Sequence, residues 1–296
     1  MKQFLGFIGK IILVLLLSAF AFDFIYTFVF SQSNTRNKVE QVINSKNQNY
    51  DVIILGTSRA NNHFVSELFE KKGLKTFNYG MSGAHLFETS LLLKLMIERG
   101  WKIKNILLEA DLNLSNEKRD DGTFGRFMPF MHQSEIITQH FKKEPDFTEL
   151  YFVPFYRYIQ FDSKVGFRAF YKTLAQEPTN TLANKGYYPL GTNPKANMKN
   201  NIESLEPLRN RYFEEIKKIC KSNGINLIAV TTPMCSKVKG MDYFKKVKKF
   251  YPEIKEYEHV VQGDEYFSSC GHLNDKGARL FTTIIINDLV LLKNEK

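Results

Sequence analysis

The sequence predicts an α/β fold: a three-layer α/β/α sandwich with a parallel sheet, preceded by an N-terminal transmembrane helix and interrupted by a central insertion. Short apolar runs alternate with amphipathic stretches, and each run ends at a Gly, Ser or Asn turn, as is typical of parallel strands joined by helices. The first thirty or so residues are far more apolar than the rest. From about residue 114 to 199 the alternation is lost, and aromatic residues and prolines cluster there instead. The 296 residues suffice for one sizeable domain with an insertion.

The expected strands and helices follow from these patterns. Helical spacing of apolar residues and glycine stops define the helices, and short β-branched runs define the strands. The predicted strands are Val52–Leu55, Leu74–Asn78, Asn105–Ala110 and Asn226–Thr231. The predicted helices are Asn62–Lys72, Thr89–Arg99, Ser204–Ser222 and Asn274–Leu292, with Tyr243–Phe250 as a basic helix or loop and Tyr187–Pro194 as a turn-rich loop.

The N-terminal segment has the length and composition of a membrane span. Ile11–Phe30 is apolar apart from Asp23 and a few small or hydroxyl residues, and it approaches the roughly 20 residues that a bilayer requires. Lys2 and Lys10 lie on its N-terminal side, which predicts a cytoplasmic N-terminus. The soluble domain is then expected outside the cytoplasm.

A cleaved signal peptide is the alternative for this segment. Ala19–Ala21 has the small-x-small form of a signal-peptidase site. Cleavage there would leave an exposed apolar N-terminus, so we favour an uncleaved signal anchor at residues 1–31. A polar tether at 32–49 and an α/β domain at 50–296 complete the expected organisation, with the insertion at about 114–199.

Charge and composition narrow the classes of partner. The formal net charge is +10, with paired lysines along the chain. We read this charge as a solvated lysine-rich surface, and nucleic acid is the least suitable partner for an exported domain without a recognition module. No phosphate-binding or dinucleotide motif and no metal-ligand spacing is present, so no cofactor and no metal are expected. The aromatic residues of the insertion form either its core or a groove for a sugar acceptor.

Cysteine usage leaves one question open. The three cysteines are Cys220, Cys235 and Cys270, and an odd number leaves at least one unpaired within the chain. Cys235 follows a predicted strand and Cys270 lies two residues before a histidine. A disulfide between them is one alternative that spacing alone does not decide.

Two short motifs carry the candidate chemistry. Gly56 ends the first predicted strand and places Ser58 on the turn into a helix, and His272 lies just before the last helix. A serine becomes nucleophilic when an imidazole takes its proton, and the carboxyl ends of parallel strands bring distant residues together. The other histidines, His63 among them, have no comparable setting and are expected on the surface or in the core.

The order of these motifs resembles the SGNH/GDSL hydrolase family, which has four characteristic blocks. Ser58 matches the nucleophile, whose own N–H contributes to the oxyanion hole, and His272 matches the general base. Gly80 matches the second-block glycine and Asn113 lies where the family has an asparagine, both of them oxyanion donors. Because the family's Gly-x-Asn-Asp motif is absent around Asn113, Asp111 is the alternative at that position.

The resemblance has a gap at the catalytic acid. The family usually has Asp three residues before the histidine, where this chain has Ser269. Ser269 could orient the ring without a charge, and Asp264 or Asp111 could supply a carboxylate from another direction. A Ser–His dyad, a triad with a relocated acid and an inactive scaffold all stay open.

The resemblance implies a membrane-anchored serine esterase or O-acyltransferase acting on a cell-surface glycan. It also implies a partner, a polytopic membrane-bound O-acyltransferase that supplies acyl groups. The alternative is a catalytically degenerate subunit of the same fold that binds glycan or assists assembly.

Overall fold

The computed structural model describes residues 1–192 and 197–293 and divides the chain into two compact units. The anchor unit comprises Met1–Asn44 and Asp121–Pro178, and the sheet unit comprises Ser45–Asp120 and Thr179–Lys296. The end of the expected turn-rich loop, including Pro194, lies outside the described residues. The insertion expected at about 114–199 thus overlaps a unit that also contains the N-terminal helix.

All strands among the described residues belong to the sheet unit. They are β1 Asn49–Leu55, β2 Thr76–Asn78, β3 Lys102–Glu109, β4 Asn200–Asn201, β5 Asn226–Val230, β6 Val238–Lys239, β7 Phe267–Ser269 and β8 His272–Leu273. The main sheet has the order β2-β1-β3-β5 and is parallel throughout, as predicted. In register, Leu55 pairs with Leu108, and Glu109 pairs with Val230. The carboxyl ends of β1, β3 and β5 therefore lie at one edge.

The helices occupy both units. They are α1 Lys2–Ser31, α2 Lys38–Ile43, α3 Ser58–His63, α4 Ser66–Glu70, α5 Leu86–Glu98, α6 Asp121–Phe124, α7 Glu135–Phe141, α8 Phe147–Phe152, α9 Tyr156–Gln160, α10 Asp162–Val165, α11 Phe167–Leu174, α12 Arg211–Ser222, α13 Asp242–Phe250 and α14 Asp275–Lys293. Short 3₁₀ turns occur at Leu112–Ser115, Gly125–Phe130, Ala183–Gly186 and Asp264–Tyr266.

The single helix predicted over Asn62–Lys72 is wrong. The chain instead forms α3 and α4, and Phe64 and Val65 between them are extended and buried. The break turns both apolar side chains into the core, and the Val65 N–H donates to Thr282 Oγ1 at 2.9 Å. Tertiary burial here outweighs the helical spacing of the sequence.

One buried core of the sheet unit lies between the sheet and α14. Val52, Ile54 and Leu107 from the strands join Phe281 and Ile285 from α14 in one buried cluster. The other helices of this unit connect the strands in the right order for a parallel sheet, and α5 packs against α12. This arrangement fixes α3 and the N-terminus of α14 beside the sheet.

The anchor unit consists of helices. By length and composition α1 could cross a membrane, and its first 22 residues are largely exposed. Phe124, Phe127 and Phe130 of the insertion are fully buried, so these aromatic residues form a core within this unit. Nearer the end of α1, Tyr26 and Phe30 are buried within the same unit. The expected tether contains α2, whose Val39 and Val42 are also buried.

Candidate functional site

Ser58 is delivered by a sharp turn at the end of β1. Gly56 has φ +136°, and a Cβ there would lie 2.8 Å from Glu109 Oε2, so this position requires glycine. Thr57 caps α3 by accepting a hydrogen bond from the Arg59 N–H at 3.1 Å. The Thr57 N–H donates to Glu109 Oε2 at 2.9 Å. Ser58 is therefore the first residue of α3, held from both sides.

Ser58 and His272 meet across the sheet unit. Ser58 Oγ lies 2.9 Å from His272 Nε2, a hydrogen-bond distance. His272 begins β8, which pairs with β7 in a small antiparallel hairpin turned at Gly271. Just beyond it, Asn274 Oδ1 accepts from the Gly277 N–H at 3.0 Å and starts α14. The sequence thus correctly predicted a histidine held just before a helix.

A disulfide fixes the same hairpin. Cys235 and Cys270 are bonded, with their Cα atoms 5.0 Å apart, and Cys270 lies two residues before His272. Cys220 is a free and buried thiol. The alternative that the sequence left open is therefore the one the structure adopts.

The ring of His272 is oriented by a hydroxyl. Ser269 Oγ lies 3.5 Å from His272 Nδ1, at the limit of a hydrogen bond. Asp264 is exposed and forms an ion pair with Lys237 at 2.9 Å. Among the described residues, neither Asp264 nor Asp111 hydrogen-bonds to His272.

Asp111 instead belongs to a buried ion pair that the sequence did not predict. Its carboxylate lies 3.0 Å from Arg59 Nη1 and accepts hydrogen bonds from the N–H and Oγ1 of Thr232. Arg59 also donates to the carbonyl oxygens of Thr232 and Pro233. The residue after the candidate nucleophile therefore ties α3 to the ends of β3 and β5. The signal in the sequence was an arginine within an otherwise uncharged turn.

The surroundings of His272 favour its neutral form. Burial lowers the pKa of its imidazole, and the nearby Arg59 charge lowers it further, while Asp111 partly opposes them. A neutral imidazole has a lone pair on one ring nitrogen and can take a proton from the serine hydroxyl. Near neutral pH the pair is in the protonation state that a general base requires.

A second histidine, His63, which was expected on the surface or in the core, is buried next to the first. His63 is fully buried, and its Nε2 accepts a hydrogen bond from the Leu273 N–H at 3.0 Å. Its ring centroid lies 6.1 Å from that of His272. Burial, followed by the charge of Arg59, holds the pKa of His63 well below its usual value. A neutral His63 thus acts as an acceptor that fixes the backbone next to His272.

The three expected oxyanion donors, Ser58, Gly80 and Asn113, lie in different local structures. A Cβ on Gly80 would come within 2.5 Å of the Asn61 nitrogen, so Gly80 packs closely on α3. Its N–H donates to Asn78 Oδ1 at 2.9 Å, which occupies the expected donor. Asn113 lies half-buried in a 3₁₀ turn, where its carbonyl accepts from Asn210 at 3.2 Å. The Ser58 N–H lies in the first turn of α3, where N–H groups have no acceptor within the helix.

Glu109 is a further buried carboxyl beside this site. It ends β3, and burial, together with the neighbouring Asp111 carboxylate, raises the pKa of Glu109. Its bond to the Thr57 N–H lies one residue from Ser58. Glu109 therefore supports the turn that carries the serine.

The site brings a hydroxyl and a neutral imidazole into contact, and the described residues contain no group of three or more His, Cys, Asp or Glu that could hold a metal ion. A scan against protein-family models and a search of curated proteins each returned no match for this chain. The chemistry must therefore be argued from the geometry alone.

Proposed function

We propose that this chain is a membrane-anchored serine esterase or O-acyltransferase of the SGNH type, with a three-layer α/β/α domain, acting on ester groups of a cell-surface glycan. The observation that carries the proposal is the 2.9 Å contact between Ser58 Oγ and His272 Nε2. A serine and a neutral imidazole at this distance are the minimum that acyl transfer requires.

In the proposed mechanism, His272 Nε2 takes the proton of Ser58 as Oγ attacks the ester carbonyl. The resulting oxyanion accepts a hydrogen bond from the Ser58 N–H, with Gly80 and Asn113 as further donors. Donation by Gly80 requires its N–H to be shared with, or released from, Asn78. Collapse breaks the ester bond, and His272 protonates the departing alcohol.

The acyl-Ser58 intermediate then decides between two outcomes. Water releases the acid, whereas a sugar hydroxyl gives a new ester, and in both cases His272 removes the proton of the incoming oxygen. Ser269 holds the ring through Nδ1 but supplies no negative charge for the imidazolium. The dyad is therefore expected to be slower than a complete triad.

The setting of the domain supports an extracytoplasmic location. The apolar helix α1 provides an anchor, and disulfides such as Cys235–Cys270 persist in oxidising compartments. An O-acyltransferase at the membrane would use a polytopic membrane partner as its source of acyl groups, as the resemblance implies.

Covalent labelling tests the proposal directly. A fluorophosphonate should label the wild type and fail to label Ser58→Ala. Ser222→Ala, which removes an exposed serine at the end of α12, should label like the wild type. Equal labelling of the wild type and Ser58→Ala would refute the assignment of Ser58.

The absence of a carboxylate from the described hydrogen bonds of His272 favours one alternative, a degenerate subunit of the same fold that binds glycan or assists assembly. In that case Ser58→Ala and His272→Ala would leave the cellular phenotype unchanged, and deletion of the insertion would abolish it. Hydrolysis of a simple acetyl ester by the wild type, lost in Ser58→Ala, would exclude this alternative.

A further inference from the structure

The anchor unit attaches a short amphipathic helix to the apolar N-terminal helix. One side of α11 faces α1, where Phe170 stacks on Tyr26 with ring centroids 4.2 Å apart. Thr173, on the same side, is buried. The position of α11 beside α1 is therefore fixed by packing within this unit.

An adjoining face of α11 is an exposed apolar stripe. Phe167, Tyr171 and Leu174 follow one another at helical spacing, and their exposed fractions are 69%, 58% and 60%. Arg168 and Lys172 each follow a stripe residue by one position, so cationic groups border the apolar face. An apolar face edged by Arg and Lys is the pattern of helices that lie in a membrane interface.

A buried polar network joins α1 to the insertion. Asp23, the one charge in the apolar stretch of α1, lies 2.7 Å from Arg157 Nη2 and accepts from the Phe155 N–H at 2.8 Å. Arg157 also donates to Thr27 Oγ1, which lies 2.7 Å from the Tyr158 hydroxyl. Within the anchor unit, the charge that interrupts the apolar stretch is therefore neutralised by the insertion.

The packing of the insertion on the last turns of α1 determines the depth of the stripe. The apolar stretch Ile11–Phe30 is about 30 Å long at about 1.5 Å per residue, which is the thickness of the hydrocarbon core. The residues that bind the insertion, such as Tyr26 and Phe30, belong to its last turns. Because α11 packs on Tyr26, it lies about 6 Å before the end of this stretch, which is at the boundary between acyl chains and headgroups if the stretch spans the bilayer.

We propose that the insertion is a second membrane-binding element, in which α11 lies in the leaflet that α1 reaches at its C-terminal end. Phe167, Tyr171 and Leu174 enter the upper acyl region and Arg168 contacts anionic headgroups, whereas Lys172 pairs with Glu177 at 2.8 Å. The lipid bilayer is the occupant favoured over a protein partner, because α11 packs against α1, whose own exposed surface is apolar over a length that could cross a bilayer.

The inference rests on α1 being inserted, and the experiment tests that separately. The full chain in a Cys220→Ala background is reconstituted into vesicles of phosphatidylcholine and phosphatidylglycerol. An NBD fluorophore is placed at Phe167→Cys or Leu174→Cys, while Cys235 and Cys270 stay bonded to each other. Brominated lipids report contact with the bilayer by quenching.

Two matched positions complete the design. Phe250→Cys labels an exposed phenylalanine that follows two lysines in the sheet unit, so its local chemistry is similar. Leu15→Cys labels the middle of α1. Labels at 167 and 174 should be quenched most by bromines near the headgroups and the label at 15 by bromines deep in the acyl chains, and the label at 250 gives the quenching of an exposed site outside the anchor unit.

Three results would overturn the inference. Labels at 167 and 174 could stay as unquenched as the label at 250 while the label at 15 is quenched. Cysteines at position 167 could cross-link two copies of the chain, which would make a second copy the occupant. Absence of quenching at position 15 would show that α1 is not inserted in the bilayer, and this result is independent of whether a fluorophosphonate labels Ser58.

Arg168→Glu tests the electrostatic part. It should reduce quenching of the label at Leu174→Cys in vesicles with phosphatidylglycerol and have a smaller effect in phosphatidylcholine alone. An equal effect in both vesicles would refute the contact of Arg168 with anionic headgroups.

Discussion

The hydroxyl of Ser269 lies 3.5 Å from Nδ1 of His272, on the opposite side of the ring from Ser58. In a catalytic triad this side of the imidazole meets a carboxylate, which stabilises the imidazolium that forms during the reaction. The hydroxyl can orient the ring but carries no charge. The site therefore has a polar group at each ring nitrogen of His272, as a triad does, but it lacks the negative charge that a triad places at Nδ1.

Ser269→Asp should supply the missing charge. A carboxylate within about 4–6 Å raises the pKa of a histidine by about 1–3 units, and the rate of acyl transfer should rise about tenfold or more. The measurements are an NMR titration of His272 and the kcat/KM for an acetyl ester. Ser268→Asp, one residue earlier on the same strand, is the control, and an equal response in both variants would contradict the role of Ser269.

Activity should depend on pH through His272. Because burial and the Arg59 charge lower the pKa of His272, the neutral base persists below the usual histidine pKa and is lost only as the pH falls through the lowered value. The acid limb of kcat/KM should therefore have its midpoint below about 6.5, the usual pKa of histidine. A midpoint above 6.5 would mean that another group carries the reaction.

The buried pair of Arg59 and Asp111 should be important for stability. Asp111→Ala leaves the Arg59 guanidinium buried without its partner, and such changes cost about 3–5 kcal/mol. Asp264→Ala removes an exposed ion pair with Lys237, for which we expect a loss of at most about 1 kcal/mol. Chemical unfolding of the full chain in detergent compares the two, and similar losses would contradict the prediction.

The sequence predicted the strand ends well and the polar contacts poorly. Val52–Leu55 and the turn at Gly56 are local signals, so β1 and the place of Ser58 could be predicted from a few neighbouring residues. The partners Arg59 and Asp111 depend on the register of three strands, which no local pattern encodes. Asp23 looked like an interruption of an apolar stretch, because its partner Arg157 lies 134 positions away in sequence.

The Asp23 contact leads to a further stability prediction. Asp23→Ala should destabilise the anchor unit by about 3–5 kcal/mol, since Arg157 is 2% exposed and would lose its partner. The double variant Asp23→Leu with Arg157→Met should recover much of the loss, because it replaces a buried charge pair by apolar groups. Thermal unfolding of the full chain in detergent measures both, and a double variant less stable than Asp23→Ala would contradict the explanation.

Loss of the disulfide should weaken the sheet unit. The bond spans 35 positions, and chain-entropy arguments assign a loop of this length about 3–4 kcal/mol. Cys235→Ser with Cys270→Ser should lower the midpoint of thermal unfolding, and a reducing agent should have the same effect on the wild type. Cys220→Ala leaves the bond intact, so the reducing agent should lower its unfolding midpoint as much as it lowers that of the wild type.

Formation of the bond between Cys235 and Cys270 also determines when the hairpin of His272 becomes covalently constrained. Thiols stay reduced in the cytosol, so under the proposed membrane anchoring a newly made chain would reach the membrane with Cys235 and Cys270 unpaired. If the sheet unit is exported, as proposed above, the disulfide forms only once that unit has reached an oxidising compartment. On that proposal, formation of the covalent constraint beside His272 is coupled to export, and a chain retained in the cytosol would lack it.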